Sequence, residues 1–134
     1  MGRLNGALVD TSVVVAGEQV ADVLPEPTSI SVITIGELRA GVLRARDRTQ
    51  RDQRALRLEV VRAAFEPLPV DEHVASKYGE LLAWVRDRRR SEKATDLLIT
   101  ATAAATDRRL YTLDRRQASL AKGVGLAVEL LAAP

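Results

Sequence analysis

Four acidic residues stand where a predicted strand or helix meets a loop, and together they could hold a metal ion. They are Asp10 in LVDTS, Glu37 in ITIGEL, Asp96 in KATDLLITATA and Asp114 in LYTLD. Because the chain has no cysteine and only one histidine, carboxylates are almost the only strong metal ligands it offers. Oxygen ligands favour Mg²⁺ or Mn²⁺ over zinc. The cluster predicts chemistry on phosphodiester bonds, because divalent cations neutralise the charge that develops there.

The same carboxylates also have a structural interpretation. Asp10, Asp96 and Asp114 each precede or open a predicted helix, where Asp caps free backbone N–H groups and interacts favourably with the helix dipole. Glu37 is harder to explain in this way, because its helix is predicted to be mostly buried, where a charge needs a partner. The hydroxyl groups of Ser12 and Thr112 could add oxygens beside the acids. Serine and threonine are also common in turns and strands, so their presence alone says little. The residues alone leave both interpretations open.

The elements that must position these acids alternate along the chain. The pattern predicts strands at 7–10, 28–31, 68–70, 110–113 and 126–128, and helices at about 11–24, 32–46, 50–65, 71–85 and 95–106, with a short one after Asp114. This alternation indicates an α/β fold with a central parallel sheet flanked by helices. Functional residues in such sheets gather at the carboxyl ends of the strands. Asp10 and Asp114 both follow a predicted strand, so the acids are expected to converge at one edge.

Length and composition limit the classes of protein to which the chain can belong. A chain of 134 residues, 46% hydrophobic and 28% charged, is predicted to form one folded domain over residues 1–134. The absence of cysteine excludes a disulfide scaffold and a thiol nucleophile. No apolar run approaches the roughly 20 residues that cross a bilayer. Asp10 interrupts the apolar N-terminal run, which argues against a signal peptide. We therefore expect a cytoplasmic protein that is not inserted in a membrane.

The basic residues are unevenly distributed. The net charge is only +2, but seventeen of the twenty basic residues are Arg, and they fall in blocks. Arg presents a bidentate geometry to phosphate, so such blocks could bind nucleic acid. For the block between residues 39 and 62, the alternative is pairing with acids along a solvated helix face. The block just before Asp96 is the better candidate for contacts with the phosphates of a nucleic acid, through Arg88, Arg89, Arg90 and Lys93.

Three segments carry a resemblance that spans essentially the whole chain. ALVDTSV, SVITIGELRAGVLRAR and TDLLITATAAATDRRLYTLD, in this order, resemble the PIN-domain family and within it the VapC-type ribonuclease toxins of bacterial toxin–antitoxin pairs. The resemblance implies a three-layer α/β domain that hydrolyses RNA with a metal-activated water. It also implies Mg²⁺ or Mn²⁺ as cofactor, a protein antitoxin that fills a groove near the site, and a homodimer. The implied catalytic and metal-binding residues are Asp10, Glu37, Asp96 and Asp114, with Ser12 and Thr112 in support.

The sequence also departs from the family pattern. Thr100 stands where Ala is common, and Gln117 and Ala118 stand where an aromatic residue is often found. The loop from Arg86 to Lys93 is unusually rich in Arg and lacks the usual glycine. These differences bear on substrate preference and leave every acidic ligand in place. Two rival functions stay open: an RNA-processing PIN nuclease that is not a toxin, and a non-catalytic interaction domain whose acids are only helix caps.

Overall fold

Five short parallel strands form the centre of the computed structural model, which describes residues 4–17 and 27–132. The sheet order is β3-β2-β1-β4-β5, and every neighbouring pair is parallel. The strands are β1 (Ala7–Val9), β2 (Thr28–Ser31), β3 (Pro67–Leu68), β4 (Arg109–Thr112) and β5 (Val128–Leu130). The predicted central parallel sheet is confirmed. The pairing places β1 at the middle of the sheet, with β2 and β4 on either side.

Six helices connect and cover the strands within the described residues. They are α1 (Thr11–Ala16), α2 (Val32–Leu43), α3 (Arg48–Ala64), α4 (Glu72–Asp87), α5 (Ala94–Ala105) and α6 (Arg115–Gly123). The first predicted helix extended to about residue 24, but positions 18–26 lie outside the described residues. The two edge strands differ most from prediction, since β3 ends before Pro69 and β5 begins two residues later than expected. Pro69 has no N–H to donate to a ladder, which explains the early end of β3.

Alternating side chains of the central strand divide the core into layers. Ala7 and Val9 belong to a cluster that includes Val13 and Val14 of α1, Leu38 and Val42 of α2, and Leu58 and Val61 of α3. Leu8 belongs to a different cluster, with Ile99 and Ala103 of α5 and Ala121 of α6. Successive residues of a strand point to opposite faces, so α1–α3 cover one face and α5 and α6 the other. Helix α4 packs on α5 and α6 through a third cluster.

This layering sets the place of the candidate site. From β1 the sheet continues to β2 on one side and to β4 on the other, so the β1–β4 boundary is the topological switch point where α/β sheets usually bind ligands. Asp10 directly follows β1, and Asp114 follows β4 after one intervening residue. Within the described residues, none of the helices combines the length and apolar character needed to span a membrane.

Candidate active site

Asp10 is the most constrained of the four acids. It follows the buried strand β1 and is itself 3% exposed. Its Oδ1 accepts hydrogen bonds from Ser12 Oγ at 2.5 Å and from the Val13 backbone N–H at 3.2 Å. Its Oδ2 accepts a hydrogen bond from Thr112 Oγ1. Both carboxylate oxygens therefore act as acceptors, which suits the ionised form and fixes the orientation of the side chain.

The two hydroxyl residues connect the turns after β1 and β4. Ser12 Oγ accepts from the Leu113 N–H at 3.0 Å, and Thr112 Oγ1 accepts from the Asp114 N–H at 2.9 Å. Each hydroxyl has one proton, and each donates it to Asp10. From the sequence, Thr112 was expected to lie near Asp114. The Thr112 side chain also hydrogen bonds to Asp10, which lies 102 positions away in the chain.

Glu37 is held by a chain of hydroxyl groups. Thr11 Oγ1 donates to Glu37 Oε1 at 2.6 Å and lies 3.1 Å from Thr34 Oγ1. Because Thr11 gives its single proton to Glu37, the fully buried Thr34 must donate to Thr11. This contact joins the first turn of α1 to α2. Thr11 and Thr34 were not predicted as site residues; the only signal was the position of Thr11 between Asp10 and Ser12.

The capping interpretation applies to two of the three aspartates. Asp10 caps α1, and Asp114 caps α6 by accepting from the Arg116 N–H at 2.8 Å. Helix α5, in contrast, has Lys93 at its N-cap and no side-chain capping hydrogen bond. Asp96 is the third residue of that helix, so the interpretation of Asp96 as a cap is wrong.

The electrostatic interactions show that the four acids converge. Burial is the main cause of a raised pKa at Asp10, opposed by the hydrogen bonds from Ser12, Thr112 and Val13, while the charge of Asp114 raises it further. Burial also raises the pKa of Asp96, followed by repulsion from Asp114, then Glu37 and Asp10; Lys93 acts in the opposite direction. Like charges close to one another disfavour ionisation. The charges of Asp114, Glu37 and Asp10 all act on Asp96, so the four carboxylates lie near one another.

The donor set fits a hydrated divalent cation better than a closed metal cage. Asp96 and Asp114 face a cavity of about 490 Å³ that is also lined by Ser91, Glu92, Lys93 and Arg116. In the described part of the chain, no three Asp, Glu or His side chains are gathered as a ready-made metal cage. Mg²⁺ usually retains several waters and binds only one or two carboxylates directly. Asp96 and Asp114 could supply those two, with Asp10 and Glu37 acting directly or through water.

Some of the basic side chains in the loop before α5 contact other residues of the protein. The guanidinium groups of Arg88 and Arg90 lie 4.2 Å and 5.2 Å from the centre of the Trp84 ring. Arg90 also pairs with Glu92 at 2.8 Å, and the Glu92 side chain is only 2% exposed. Arg89 has a positive φ of 53° and is exposed. Lys93 is exposed and faces the cavity beside Asp96.

Arg116 completes this side of the cavity and was not predicted as a site residue. Its Nε lies 3.2 Å from Glu92 Oε2, and its terminal nitrogen donates to the Ser91 carbonyl. The buried Glu92 is thus shared by Arg90 and Arg116. The signal for this contact in the sequence was Glu92, an acid that stands between Arg90 and Lys93. The contacts attach the loop before Asp96 to the helix that Asp114 caps.

Comparisons with known proteins agree with this arrangement. Residues 7–123 match the PIN domain family. The chain is 45% identical over 107 residues to "Ribonuclease VapC8" of Mycobacterium tuberculosis, covering 76% of this chain and 94% of that protein. It is 37% identical over 117 residues to "Ribonuclease VapC5" of the same organism, covering 84% of this chain and 86% of that protein.

Solved structures show the same fold. The crystal structure of VapBC-5 from Mycobacterium tuberculosis, a member of the VapBC family of toxin-antitoxin systems, superposes with a TM-score of 0.80 and 32% identity, covering 96% of this chain and 99% of that one. VapBC2 from Rickettsia felis, bound to a DNA fragment from its promoter, gives a TM-score of 0.78 at 20% identity, covering 93% and 98%. The second similarity concerns the fold alone. This chain is therefore a member of the PIN-domain family, in its VapC ribonuclease branch.

Proposed function

We propose that this protein is a metal-dependent endoribonuclease that acts as the toxin of a type II toxin–antitoxin system. The observation that carries the proposal is that Asp96 and Asp114 line one cavity near the switch point of the sheet, with Asp10 and Glu37 near enough for their charges to act on Asp96. The similarity to VapC ribonucleases supports RNA as substrate. The cofactor is Mg²⁺ or Mn²⁺, because every proposed ligand is a carboxylate oxygen. The whole function resides in a single domain.

Each site residue has a distinct task in this proposal. A divalent cation, when bound, supplies a water of lowered pKa and neutralises charge on the phosphoryl oxygens. Asp96 and Asp114 face the open cavity and hold the cation. Asp10 contributes negative charge from a fixed position, because Ser12 and Thr112 orient both of its oxygens. Thr11 similarly orients Glu37 at the other side of the cluster.

The cavity also carries positive charge for the substrate. Lys93 and Arg116 line the same cavity as the two acids, so they lie where the phosphates flanking a scissile bond would enter. Charged donors of this kind form strong hydrogen bonds to phosphate. Arg89 is exposed on the adjoining loop and can extend this contact along an RNA strand. Arg88 and Arg90 remain candidates for RNA contacts, although both also stack on Trp84.

A protein antitoxin is the proposed partner. The structurally similar VapBC-5 was solved as a member of a toxin-antitoxin family. In this chain, a groove of about 270 Å³ lies beside Glu37, lined also by Thr11, Val15, Leu38, Gly41, Arg54 and Arg57. Large apolar side chains are exposed on the same group of helices, at Val15 of α1, Leu43 of α2, and Leu56 and Val60 of α3. Such exposure on α1–α3 is suited to burial by a partner. A homodimer is also expected, and light scattering on the purified protein measures it.

The direct test is RNA cleavage by the purified protein with a matched pair of variants. Cleavage should require Mg²⁺ or Mn²⁺ and stop in EDTA. Asp114→Asn should abolish it, whereas Asp71→Asn should not. Both aspartates are exposed helix caps, but Asp71 caps α4 through the Val74 N–H and takes no part in the acidic cluster. Cleavage that persists in EDTA, or equal activity of the two variants, would refute the metal mechanism.

The biological role requires a separate experiment. Expression of the chain alone should arrest growth, and co-expression with an antitoxin encoded beside it should restore growth. Asp96→Asn should be harmless when expressed alone, because it removes the site without removing the fold. RNA cleavage in vitro without growth arrest would instead favour a non-toxin RNA-processing nuclease. Absence of both cleavage and divalent-cation binding would favour a non-catalytic interaction domain.

A further inference from the structure

A buried amide joins the two helices whose first turns carry Asp96 and Asp114. Gln117 lies in α6, and it is only 2% exposed. Its Nε2 donates to the Asp96 backbone carbonyl at 3.0 Å and to Thr100 Oγ1 at 2.8 Å. Thr100 Oγ1 in turn donates to the same Asp96 carbonyl at 2.8 Å. A buried amide is costly without such partners, so these bonds fix the position of Gln117.

The contact is directly connected to both acids. One end is the Asp96 residue itself, whose carbonyl receives two side-chain hydrogen bonds. The other end, Gln117, lies three residues after Asp114, the N-cap of the same short helix. Elsewhere α5 and α6 meet through apolar side chains, with Leu120 packed in the cluster that contains Leu97 and Ala101. Apolar contact is non-directional and sets relative position less sharply than paired hydrogen bonds.

We propose that Gln117 and Thr100 act as a positioning pair that sets the separation of the Asp96 and Asp114 carboxylates, and thereby the affinity of the site for its divalent cation. The inference rests on the proposed function, since it assigns the pair a role only if those acids hold a cation. Neither side chain touches the substrate or the cation in this role. Both positions are among those at which the sequence departs from the family pattern, and in the fold they contact each other.

The test compares three variants of the full chain with Mn²⁺ as the probe. Gln117→Met keeps the length of the side chain but removes both donors, and Thr100→Val keeps its shape but removes the hydroxyl. The control is Thr102→Val. Thr102 is on the same helix, is equally buried, and makes the same type of bond to the Leu98 carbonyl at 2.8 Å, but it does not contact Gln117. The dissociation constant for Mn²⁺ is measured by calorimetry, and the Tm is measured in EDTA.

Gln117→Met and Thr100→Val should each weaken Mn²⁺ binding by about 10-fold, the lower end of the effect of outer-shell partners on metal sites. Thr102→Val should lower Tm similarly but keep Mn²⁺ affinity within about twofold of wild type. The double variant should weaken binding by less than the product of the single effects, because the two residues share one contact. Cleavage should recover at high Mn²⁺, since the reacting groups are intact.

Several results would overturn the inference. Unchanged Mn²⁺ affinity in Gln117→Met and Thr100→Val would reduce the pair to an ordinary buried contact. Equal weakening by Thr102→Val would show that any disturbance of α5 has the same effect. If Gln117→Met fails to fold, the nearly isosteric Thr100→Val decides the question alone. Failure of wild type to bind Mn²⁺ would overturn the proposed function together with this inference, whereas wild-type binding with unaffected variants would overturn this inference only.

Discussion

Replacing Asp96 by Asn separates a metal ligand from a structural acid, because the change removes the charge and almost nothing else. Helix α5 has no side-chain cap, so no capping bond is lost. Burial disfavours the charged form of the Asp96 carboxylate, repulsion from Asp114, Glu37 and Asp10 adds to this effect, and together these raise its pKa. A raised pKa means that the charged form of this side chain is less favourable in the folded protein than in the unfolded chain. Asn is neutral, so metal-free Asp96→Asn should be at least as stable as wild type.

The size of the expected change in the free energy of unfolding follows from the solvent exposure of Asp96. Asp96 is only half-buried, so solvent screens its repulsion and the gain is expected to be at most about 1 kcal/mol, the scale of partly exposed charge interactions. For a chain of this length, 1 kcal/mol corresponds to about 3–6 °C in Tm. In the presence of Mn²⁺, wild type should instead be more stable than Asp96→Asn. A ligand at 100 times its Kd stabilises the folded state by about 2.7 kcal/mol, and only wild type should receive this stabilisation.

The assay is thermal unfolding in EDTA and in Mn²⁺, combined with RNA cleavage. We expect Asp96→Asn to show a Tm equal to or above that of wild type in EDTA, little response to Mn²⁺, and no cleavage. Asp71→Ala serves as the contrasting control, because loss of a true cap should cost about 1 kcal/mol while leaving the Mn²⁺ response intact. If Asp96→Asn keeps the Mn²⁺-induced rise in Tm and cuts RNA at a rate near wild type, the four-carboxylate site is wrong.

Three further predictions concern the surroundings of the cluster. The raised pKa of Asp10 means that the metal-free folded state retains a proton that the unfolded state releases, so its free energy of unfolding should fall as pH rises from the ordinary value of 3.8 through the raised one. Asp10→Asn should make this fall smaller in unfolding titrations in EDTA, while the part that comes from the raised pKa of Asp96 should remain. Thr112→Val removes a donor to the buried Asp10 carboxylate, so it should cost about 1–3 kcal/mol in denaturant unfolding and weaken Mn²⁺ binding; an unchanged midpoint would contradict the contact. Lys93→Ala should reduce the salt slope of RNA binding by about 0.7, the contribution of one phosphate contact to a single strand. Arg90→Ala should change the slope less, because Arg90 is paired with Glu92; the reverse order would reassign the contacts.

Local sequence patterns were sufficient to predict the elements that carry the acids. The buried run ALV before Asp10 and the run RLYT before Leu113 and Asp114 fold as central parallel strands. Because strand ends of a parallel sheet share one edge, these two acids were expected to converge from their positions after the predicted strands. The edge strands were predicted less well, since they are short and pair on one side only. Their limits depend on the neighbouring strand and on Pro69 rather than on their own residues.

The side-chain contacts within the site could not be predicted, because they join residues far apart in the chain. Thr112 meets Asp10 across 102 positions, and Thr11 meets Glu37 across 26. Glu92 stands between Arg90 and Lys93 in the sequence, yet packing buries its side chain between Arg90 and Arg116. Threonine and glutamine also have so many ordinary roles that their type alone does not identify them. Only the tertiary structure shows which of them orient the acids.

The capping and metal-binding interpretations are not alternatives for Asp10 and Asp114. Both carboxylates accept backbone N–H bonds at helix starts while they face the other acids, and Asp96 lies in the first turn of a third helix. Helix N-termini favour negative charge, so the arrangement offsets part of the repulsion that a cluster of carboxylates creates. The helix starts therefore lower the cost of bringing the carboxylates together. The arrangement also determines which variants are informative, because Asp→Ala at position 10 or 114 removes a cap and a ligand together. At position 114 Asn preserves the cap, so Asp114→Asn isolates the contribution of charge to cation binding. At position 10 Asn also places an NH2 group where an oxygen accepts a hydrogen bond, so Asp10→Asn changes more than the charge.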